Sequence, residues 1–240
     1  MIIGLRHVCL NEADFRCSIG VVLDLSASMA PHLANSKRTL RQVLDRAEPG
    51  DEAQLIGIGD RATLRKPLTD GLTALLADVA VAAAAGDTAL RDAVALGVEQ
   101  MKNAQNSRRA LIVISDGVDN INRLSRGELL RVATEADVEV HTLVLAEVRA
   151  GKRSPVDIAE RQDGIAFLGE LSKATGGLSF LIRDEAGMAA AAEKIGRALH
   201  TQYVSGYRPI GEPDGKHQSI KLKVAVPGTQ VHWRRAYLSE

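Results

Sequence analysis

The feature that most constrains this chain is residues 18–28, which read Ser-Ile-Gly-Val-Val-Leu-Asp-Leu-Ser-Ala-Ser. An unbroken apolar run of this kind predicts a strand buried on both faces of a sheet. Asp24 then lies at the carboxyl end of that strand, where open α/β sheets bind ligands. One carboxylate with the hydroxyls of Ser26 and Ser28 suits a hard divalent cation such as Mg²⁺, although Asp and Ser in this position also form ordinary helix caps.

Two later segments favour the cation site over the cap. Residues 109–117 repeat the pattern of an apolar strand followed by an acidic turn, so Asp116 is expected at the same sheet edge as Asp24. Between them, Thr88 follows a glycine turn and precedes an amphipathic helix, where it can add a third hydroxyl. Read singly, Thr88 is an N-cap and Asp116 a turn residue. Their occurrence together, in this order, indicates a shared site.

These segments resemble the von Willebrand factor A-type domain with a complete metal-ion-dependent adhesion site. The resemblance covers roughly residues 17–200 and implies that the serine and threonine hydroxyls ligate a divalent cation, while the aspartates bind it directly or through water. The remaining coordination position would accept an acidic side chain of a partner protein. Carried over to this chain, the resemblance implies that the cation is held by Asp24, Ser26, Ser28, Thr88 and Asp116.

The resemblance has one departure and one extension. Asp87 stands where relatives often have a second glycine, and its charge could tighten cation binding or weaken an acidic partner. Residues 202–209, with the two strands predicted at 219–226 and 230–237, resemble the tail of a bacterial subgroup often described from acidobacteria. That tail sharpens the expected fold more than the expected function.

The predicted fold is a doubly wound α/β domain with a mostly parallel, Rossmann-like sheet and helices on both faces. We expect an N-terminal extension at 1–16, the A-type domain at 17–201 and a β-strand extension at 202–240 that packs on the main domain. The predicted helices are 35–48, 72–85, 89–103, 125–137, 167–175 and 184–200, and residues 149–164 are expected to form a polar surface excursion.

Composition limits the function classes. Lysine plus arginine and aspartate plus glutamate both number 30, so the charge balance does not favour nucleic acid. Aromatic residues make up 3%, too few for base-stacking platforms. No apolar stretch is long enough to span a membrane, and the first twenty residues lack a signal-peptide pattern. We therefore expect a soluble chain, cytoplasmic as given or part of an exported protein. Cys9 and Cys17 are expected to be free thiols, with a loop disulfide as the alternative after export.

The sequence also allows an enzymatic interpretation. A strand ending in aspartate beside a divalent ion also describes phosphatases of the haloacid dehalogenase type, whose aspartate is a nucleophile. Those enzymes usually carry a second aspartate two residues later, and here that position is Ser26. A hydroxyl performs that proton transfer poorly. The sequence therefore predicts a non-enzymatic module that presents Mg²⁺, or Mn²⁺ or Ca²⁺, to a carboxylate of a partner protein. A domain that binds the metal only for stability is the other alternative.

Overall fold

A computed structural model of the chain describes residues 16–145, 155–201, 215–224 and 231–239. The predicted strand at 202–208, the predicted boundary after residue 201 and the thiol of Cys9 lie outside these residues. Cys17 is a buried free thiol at the start of the first strand, and burial raises its pKa to about 12.

The core of the molecule is a six-stranded sheet. Its order is β3-β2-β1-β4-β5-β6, and every neighbouring pair is parallel except the edge pair of β2 and β3. All eight residues of β1 are buried, as the apolar run predicts. The strands are β1 Cys17–Asp24, β2 Glu52–Ile58, β3 Thr63–Thr69, β4 Arg108–Ser115, β5 Glu139–Leu145 and β6 Ser179–Ile182.

Six helices cover the two faces of the sheet. Apolar side chains of α1, α2 and α6 pack on one face, and those of α3, α4 and α5 pack on the other. This arrangement confirms the predicted doubly wound α/β fold. The helices are α1 Leu33–Leu44, α2 Leu72–Val81, α3 Leu90–Gln100, α4 Arg126–Glu135, α5 Pro155–Thr175 and α6 Glu185–His200. Among the described residues, no helix is both long and apolar enough to cross a membrane.

The largest error of the sequence analysis concerns α5. Residues 155–164 were predicted to be part of a polar surface excursion, but they form the first half of a 21-residue helix. Gly164 suggested a break, yet it lies where the helix meets the backbone of Gly117. A β-carbon at Gly164 would be 1.8 Å from the Gly117 carbonyl oxygen, so the glycine serves a close approach within the helix.

The alanine run at 82–85 was predicted to continue α2, and this is wrong. The helix ends at Val81, and Ala82 has an extended backbone with φ −61° and ψ 138°. The amide of Ala85 donates 2.8 Å to the carbonyl of Leu25. The run therefore lies beside the loop that follows β1, and this tertiary hydrogen bond outweighs the helix propensity of alanine.

The C-terminal strands are shorter than predicted. Residues 219–226 and 230–237 were expected to pair, whereas the observed antiparallel strands are β7 His217–Ser219 and β8 Ala236–Leu238. Residues 225–230 lie outside the described part. The amide of Arg235, in the described part of the tail, donates 3.1 Å to the carbonyl of Ala174 at the end of α5.

Candidate metal site at the carboxyl edge of the sheet

Three loops meet at the carboxyl ends of the two central strands. The first loop, residues 25–28, follows β1, and the third loop, residues 116–124, follows the adjacent strand β4. The second loop, residues 82–89, joins α2 to α3 and is bound to the first by the 2.9 Å hydrogen bond from the Ala27 amide to the Gly86 carbonyl. The structure thus brings the predicted site segments to one edge of the sheet.

Asp24 is the centre of a hydrogen-bonded cluster and is fully buried. Its Oδ1 accepts hydrogen bonds from the amide of Ser26 at 2.9 Å and from the hydroxyl of Ser26 at 2.6 Å. The hydroxyl oxygens of Ser26 and Ser28 are 3.1 Å apart. Three of the five predicted ligands are therefore in one contiguous group, with hydroxyl oxygens adjacent to the carboxylate.

The sequence analysis missed Ser115, the last residue of β4. Its hydroxyl donates 2.6 Å to Oδ2 of Asp24 and accepts 3.0 Å from the amide of Gly117. The parallel pairing of Leu23 with Ile114 places Ser115 next to Asp24 across the strand pair. This register, combined with the alternation of side chains along a strand, was a signal that could have identified it.

The surroundings of Asp24 disfavour its ionised form. Burial raises the pKa of Asp24 to about 6, and the nearby charge of Asp116 contributes to the rise. The hydrogen bonds from Ser115 and Ser26 oppose it, because they favour the ionised form. A buried carboxyl group whose ionised form is disfavoured, as in Asp24, is an environment in which a nearby cation is favourable.

Thr88 is buried in the second loop and is fixed by the third. Its amide donates 2.9 Å to Oδ1 of Asn120, and its carbonyl accepts 3.1 Å from the amide of Asn120. Asp87 also contacts Asn120, whose amide nitrogen is 3.4 Å from Oδ1 of Asp87. These contacts bring Thr88 and the loop after Asp116 together, as the sequence analysis expected.

The helix-cap interpretation of Thr88 is not supported. The first residue before α3 is Ala89, without a side-chain cap. Instead, Oδ1 of Asp119 accepts 3.1 Å from the amide of Leu90, and Oδ1 of Asn122 accepts 2.8 Å from the amide of Arg91. The third loop therefore caps α3, so the Thr88 hydroxyl is not needed for that purpose.

The two carboxylate oxygens of Asp116 have different surroundings. Oδ1 accepts 3.1 Å from the amide of Val118, which is the turn role that the sequence also allowed. Oδ2 is buried without a hydrogen-bond partner among the described residues. Nη1 of Arg161 lies 3.6 Å from Oδ2, too far for a hydrogen bond. Arg161 comes from the misassigned half of α5 and was not identified from the sequence.

The donor set fits a hard divalent cation. It contains two carboxylates and three neutral hydroxyls, all oxygen ligands of the kind that Mg²⁺, Mn²⁺ and Ca²⁺ prefer. The orphaned Oδ2 of Asp116 supplies a buried acceptor that a cation would satisfy. Across the described ranges, no cluster of three or more His, Cys, Asp or Glu side chains is arranged for a metal. A cation at this sheet edge would therefore need hydroxyl oxygens as well as the two carboxylates.

Comparison with known proteins agrees with this fold. Residues 19–118 match the family model of the von Willebrand factor type A domain. By this match, residues 19–118 belong to a von Willebrand factor type A domain. The matched region includes most of β1, all of β4, the first two loops and the first three residues of the third loop. Domains of this family are typically adhesion or protein-interaction modules.

Solved structures support the fold over a longer part of the chain. A von Willebrand factor type A protein from Catenulispora acidiphila is similar, with a TM-score of 0.62 and 17% identity over 94% of this chain and 56% of that one. An aerotolerance-related membrane protein from Bacteroides fragilis, with multiple mutations to serines, gives a TM-score of 0.57 and 17% identity over 76% and 99% of the two chains.

A curated protein of Borreliella burgdorferi is 23% identical over 186 residues, which are 70% of this chain and 54% of the relative. The chain therefore spans about half the length of the curated relative that it matches.

Proposed function

We propose that this domain is a non-enzymatic binding module that uses a divalent cation, most favourably Mg²⁺, to bind a carboxylate of a partner protein. The observation that carries the proposal is the orphaned Oδ2 of Asp116, buried at the sheet edge where Asp24 and its serine cluster also lie. A buried acceptor without a donor is unfavourable, and a bound cation would remove that cost.

The composition of the site supports carboxylate binding. A cation held there would supply a positive Lewis-acid centre, and the hydroxyls of Ser26, Ser28 and Thr88 would add no negative charge to it. The two aspartates carry no more negative charge than a divalent ion offsets, so the loaded site has no excess negative charge to repel an external carboxylate. The role of the chain is to hold these oxygens on three fixed loops, and the hydrogen bonds of Ser115 and Asn120 keep them in place.

Calorimetric titration of metal-free protein with Mg²⁺ and Mn²⁺ tests the cation site. We expect saturable binding that Asp24→Asn and Thr88→Val abolish or weaken at least about tenfold, since each removes a ligand. The matched controls are Asp163→Asn and Thr63→Val, which change exposed residues away from the site and should bind like the wild type. Equal binding by all five proteins would place the cation elsewhere and reject the proposal.

Acetate is the probe for the partner's carboxylate. With the domain saturated in Mn²⁺, acetate should displace metal-bound water, and the water proton relaxation rate should fall. The effect should be absent in Asp24→Asn, which no longer holds the ion. If Mn²⁺ binds and raises the melting temperature but acetate changes nothing, the metal stabilises a structural domain, which was the second interpretation.

Phosphatase chemistry at Asp24 is disfavoured by its surroundings. The carboxylate is fully buried, and both oxygens accept hydrogen bonds from serine hydroxyls. A nucleophile must reach its substrate, and the residue two positions later is a serine rather than a carboxylic acid. We therefore expect no Mg²⁺-dependent hydrolysis of p-nitrophenyl phosphate above the Asp24→Asn background.

A further inference from the structure

We infer that Arg161 is an internal counter-cation of the metal site, which offsets part of the charge of Asp116 in the metal-free domain and so sets how tightly the site binds a divalent ion. This inference rests on the proposed function and deepens it, because it assigns a regulating residue to the same site. Without a cation, Arg161 would stabilise the fold; with one, it would leave the ion more positive toward a partner's carboxylate.

The guanidinium of Arg161 is buried next to the carboxylate of Asp116. Arg161 is 8% exposed and Asp116 is 1% exposed, and Nη1 of Arg161 is 3.6 Å from Oδ2 of Asp116. Nη2 donates 2.8 Å to the carbonyl of Leu145 at the end of β5. The arginine is thus held by a backbone acceptor on one side and directed to the orphaned carboxylate oxygen on the other.

The position of α5 makes this contact possible. Gly164 lies against the carbonyl of Gly117, the residue directly after Asp116, closely enough that no side chain fits between them. Arg161 is three residues earlier, on the same face of the helix as Gly164. The close contact between α5 and Gly117 therefore places the guanidinium beside the third loop. A fixed positive charge thus lies next to Asp116.

Charge determines the consequence for metal binding. Two buried carboxylates without compensation would be costly, and one guanidinium offsets part of that cost in the metal-free domain. A divalent ion near Oδ2 of Asp116 is repelled by the same guanidinium, so its affinity is lower than for two uncompensated aspartates. Once bound, the ion shares Asp116 with Arg161 and retains more positive charge for an acidic ligand.

The test compares three variants with the wild type by calorimetric Mg²⁺ titration and by melting in EDTA and in saturating Mg²⁺. Arg161→Gln removes the charge and keeps a donor for Leu145, whereas Arg161→Lys keeps the charge without the planar fork. Arg126→Gln is the matched control, because Arg126 of α4 pairs with the exposed carboxylate of Asp163 on α5 and not with Asp116.

We expect Arg161→Gln to bind Mg²⁺ at least about tenfold more tightly than the wild type and to melt lower in EDTA. Arg161→Lys and Arg126→Gln should keep the wild-type affinity. A purely structural arginine would lower the melting temperature equally with and without Mg²⁺ and leave the dissociation constant unchanged, and that result overturns the inference. If Arg161→Gln does not fold in EDTA, refolding in excess Mg²⁺ supports the inference, and failure to refold there overturns it.

The same titrations separate this inference from the proposed function. Mg²⁺ binding by the wild type that is insensitive to Arg161→Gln retains the metal site and rejects the role of Arg161. Binding by Arg161→Gln but not by the wild type supports the counter-cation and limits the proposed function to conditions that displace the arginine. Absence of binding in both proteins rejects the two proposals together.

Discussion

The hydroxyl of Ser115 donates a 2.6 Å hydrogen bond to Oδ2 of Asp24 and thereby joins the ends of the two central strands at the candidate metal site. Both residues are fully buried, so the bond is shielded from water. Hydrogen bonds to an ionised group in such surroundings are stronger than those between neutral groups. Ser115 consequently fixes the orientation of Asp24 without being a predicted ligand itself.

Ser115→Ala should destabilise the domain by about 1–3 kcal/mol, because it removes a hydrogen bond to a buried carboxylate. It should also weaken Mg²⁺ binding by releasing Asp24 from its fixed orientation. Urea denaturation and calorimetry measure the two effects. The matched control is Ser36→Ala, since the buried Ser36 hydroxyl donates 3.0 Å to the neutral carbonyl of His32. A larger cost for the control than for Ser115→Ala would contradict the account.

The pKa of Asp24 predicts how the stability of the metal-free domain depends on pH. The folded value is raised from 3.8 to about 6, so the folded state holds a proton that the unfolded state releases between these values. The stability of the wild type should therefore fall relative to Asp24→Asn as pH rises through this window, by on the order of 2–3 kcal/mol. Melting curves in EDTA across this pH range measure it.

Asp163→Asn is a control for which the opposite pH dependence is expected. The hydrogen bond from Arg126 lowers the pKa of the exposed Asp163, so its contribution to stability is present above the ordinary value and is lost as pH falls. The wild type should thus gain stability relative to Asp163→Asn as pH rises. A wild-type curve parallel to that of Asp24→Asn would show that Asp24 ionises normally.

Gly164→Ala should damage both the fold and the site. The added β-carbon would lie 1.8 Å from the Gly117 carbonyl, so α5 must move away from the third loop, at a cost of about 2 kcal/mol or more. Metal affinity should fall too, because Gly117 follows Asp116. In the same helix, Gly169→Ala meets its nearest atom at 3.9 Å and should be neutral or slightly stabilising. Similar stability of both variants would contradict this packing.

His200 and Asp51 form an ion pair at the opposite edge of the sheet from the site, with 2.8 Å between Nε2 and Oδ2. The hydrogen bond to Asp51 raises the pKa of His200 against the effect of burial. For Asp51, burial favours the neutral acid, but the hydrogen bonds from His200 and the amides of Cys17 and Glu48 outweigh it and lower the pKa. The pair joins the last residue of α6 to the segment before β2.

The two shifts give the pair a stability window. The His200 contribution is complete below the ordinary value of 6.5 and is lost as pH rises through the raised pKa, whereas that of Asp51 is lost as pH falls through the lowered pKa. His200→Gln should cost about 1–2 kcal/mol near pH 5 and less near pH 9, as measured by urea denaturation. Arg197→Gln, an exposed residue of the same helix, should show no such dependence. An equal cost of His200→Gln at both pH values would contradict the pairing.

The sequence predicted the parts of the fold that local pattern determines. The apolar run to Asp24 predicted the buried central strand, and the helix predicted at 125–137 corresponds to α4, which a capping box of Ser125 and Glu128 begins. The candidate site was predictable to the same extent, because parallel strands bring Asp24 and Asp116 to one edge. The strand register could also have predicted that Ser115 lies beside Asp24.

The missed features depend on contacts between distant segments. Arg161 lies next to Asp116 only because Gly164 allows α5 to approach Gly117. Read alone, a glycine in a polar stretch indicates a loop. The end of α2 depends likewise on the hydrogen bond from Ala85 to Leu25. Local propensity contains no information on such tertiary contacts, so these errors have a common physical cause.

The most direct test of the central claim is an anomalous difference map from crystals of the domain soaked in Mn²⁺. The account predicts one strong peak at the carboxyl edge of the sheet, within coordination distance of oxygen atoms from Asp24, Ser26, Ser28, Thr88 and Asp116, directly or through ordered water. The peak should disappear in crystals of Asp24→Asn. Full soaking with no peak between these three loops, or a peak that persists in the variant, would contradict the claim that this domain presents a cation there.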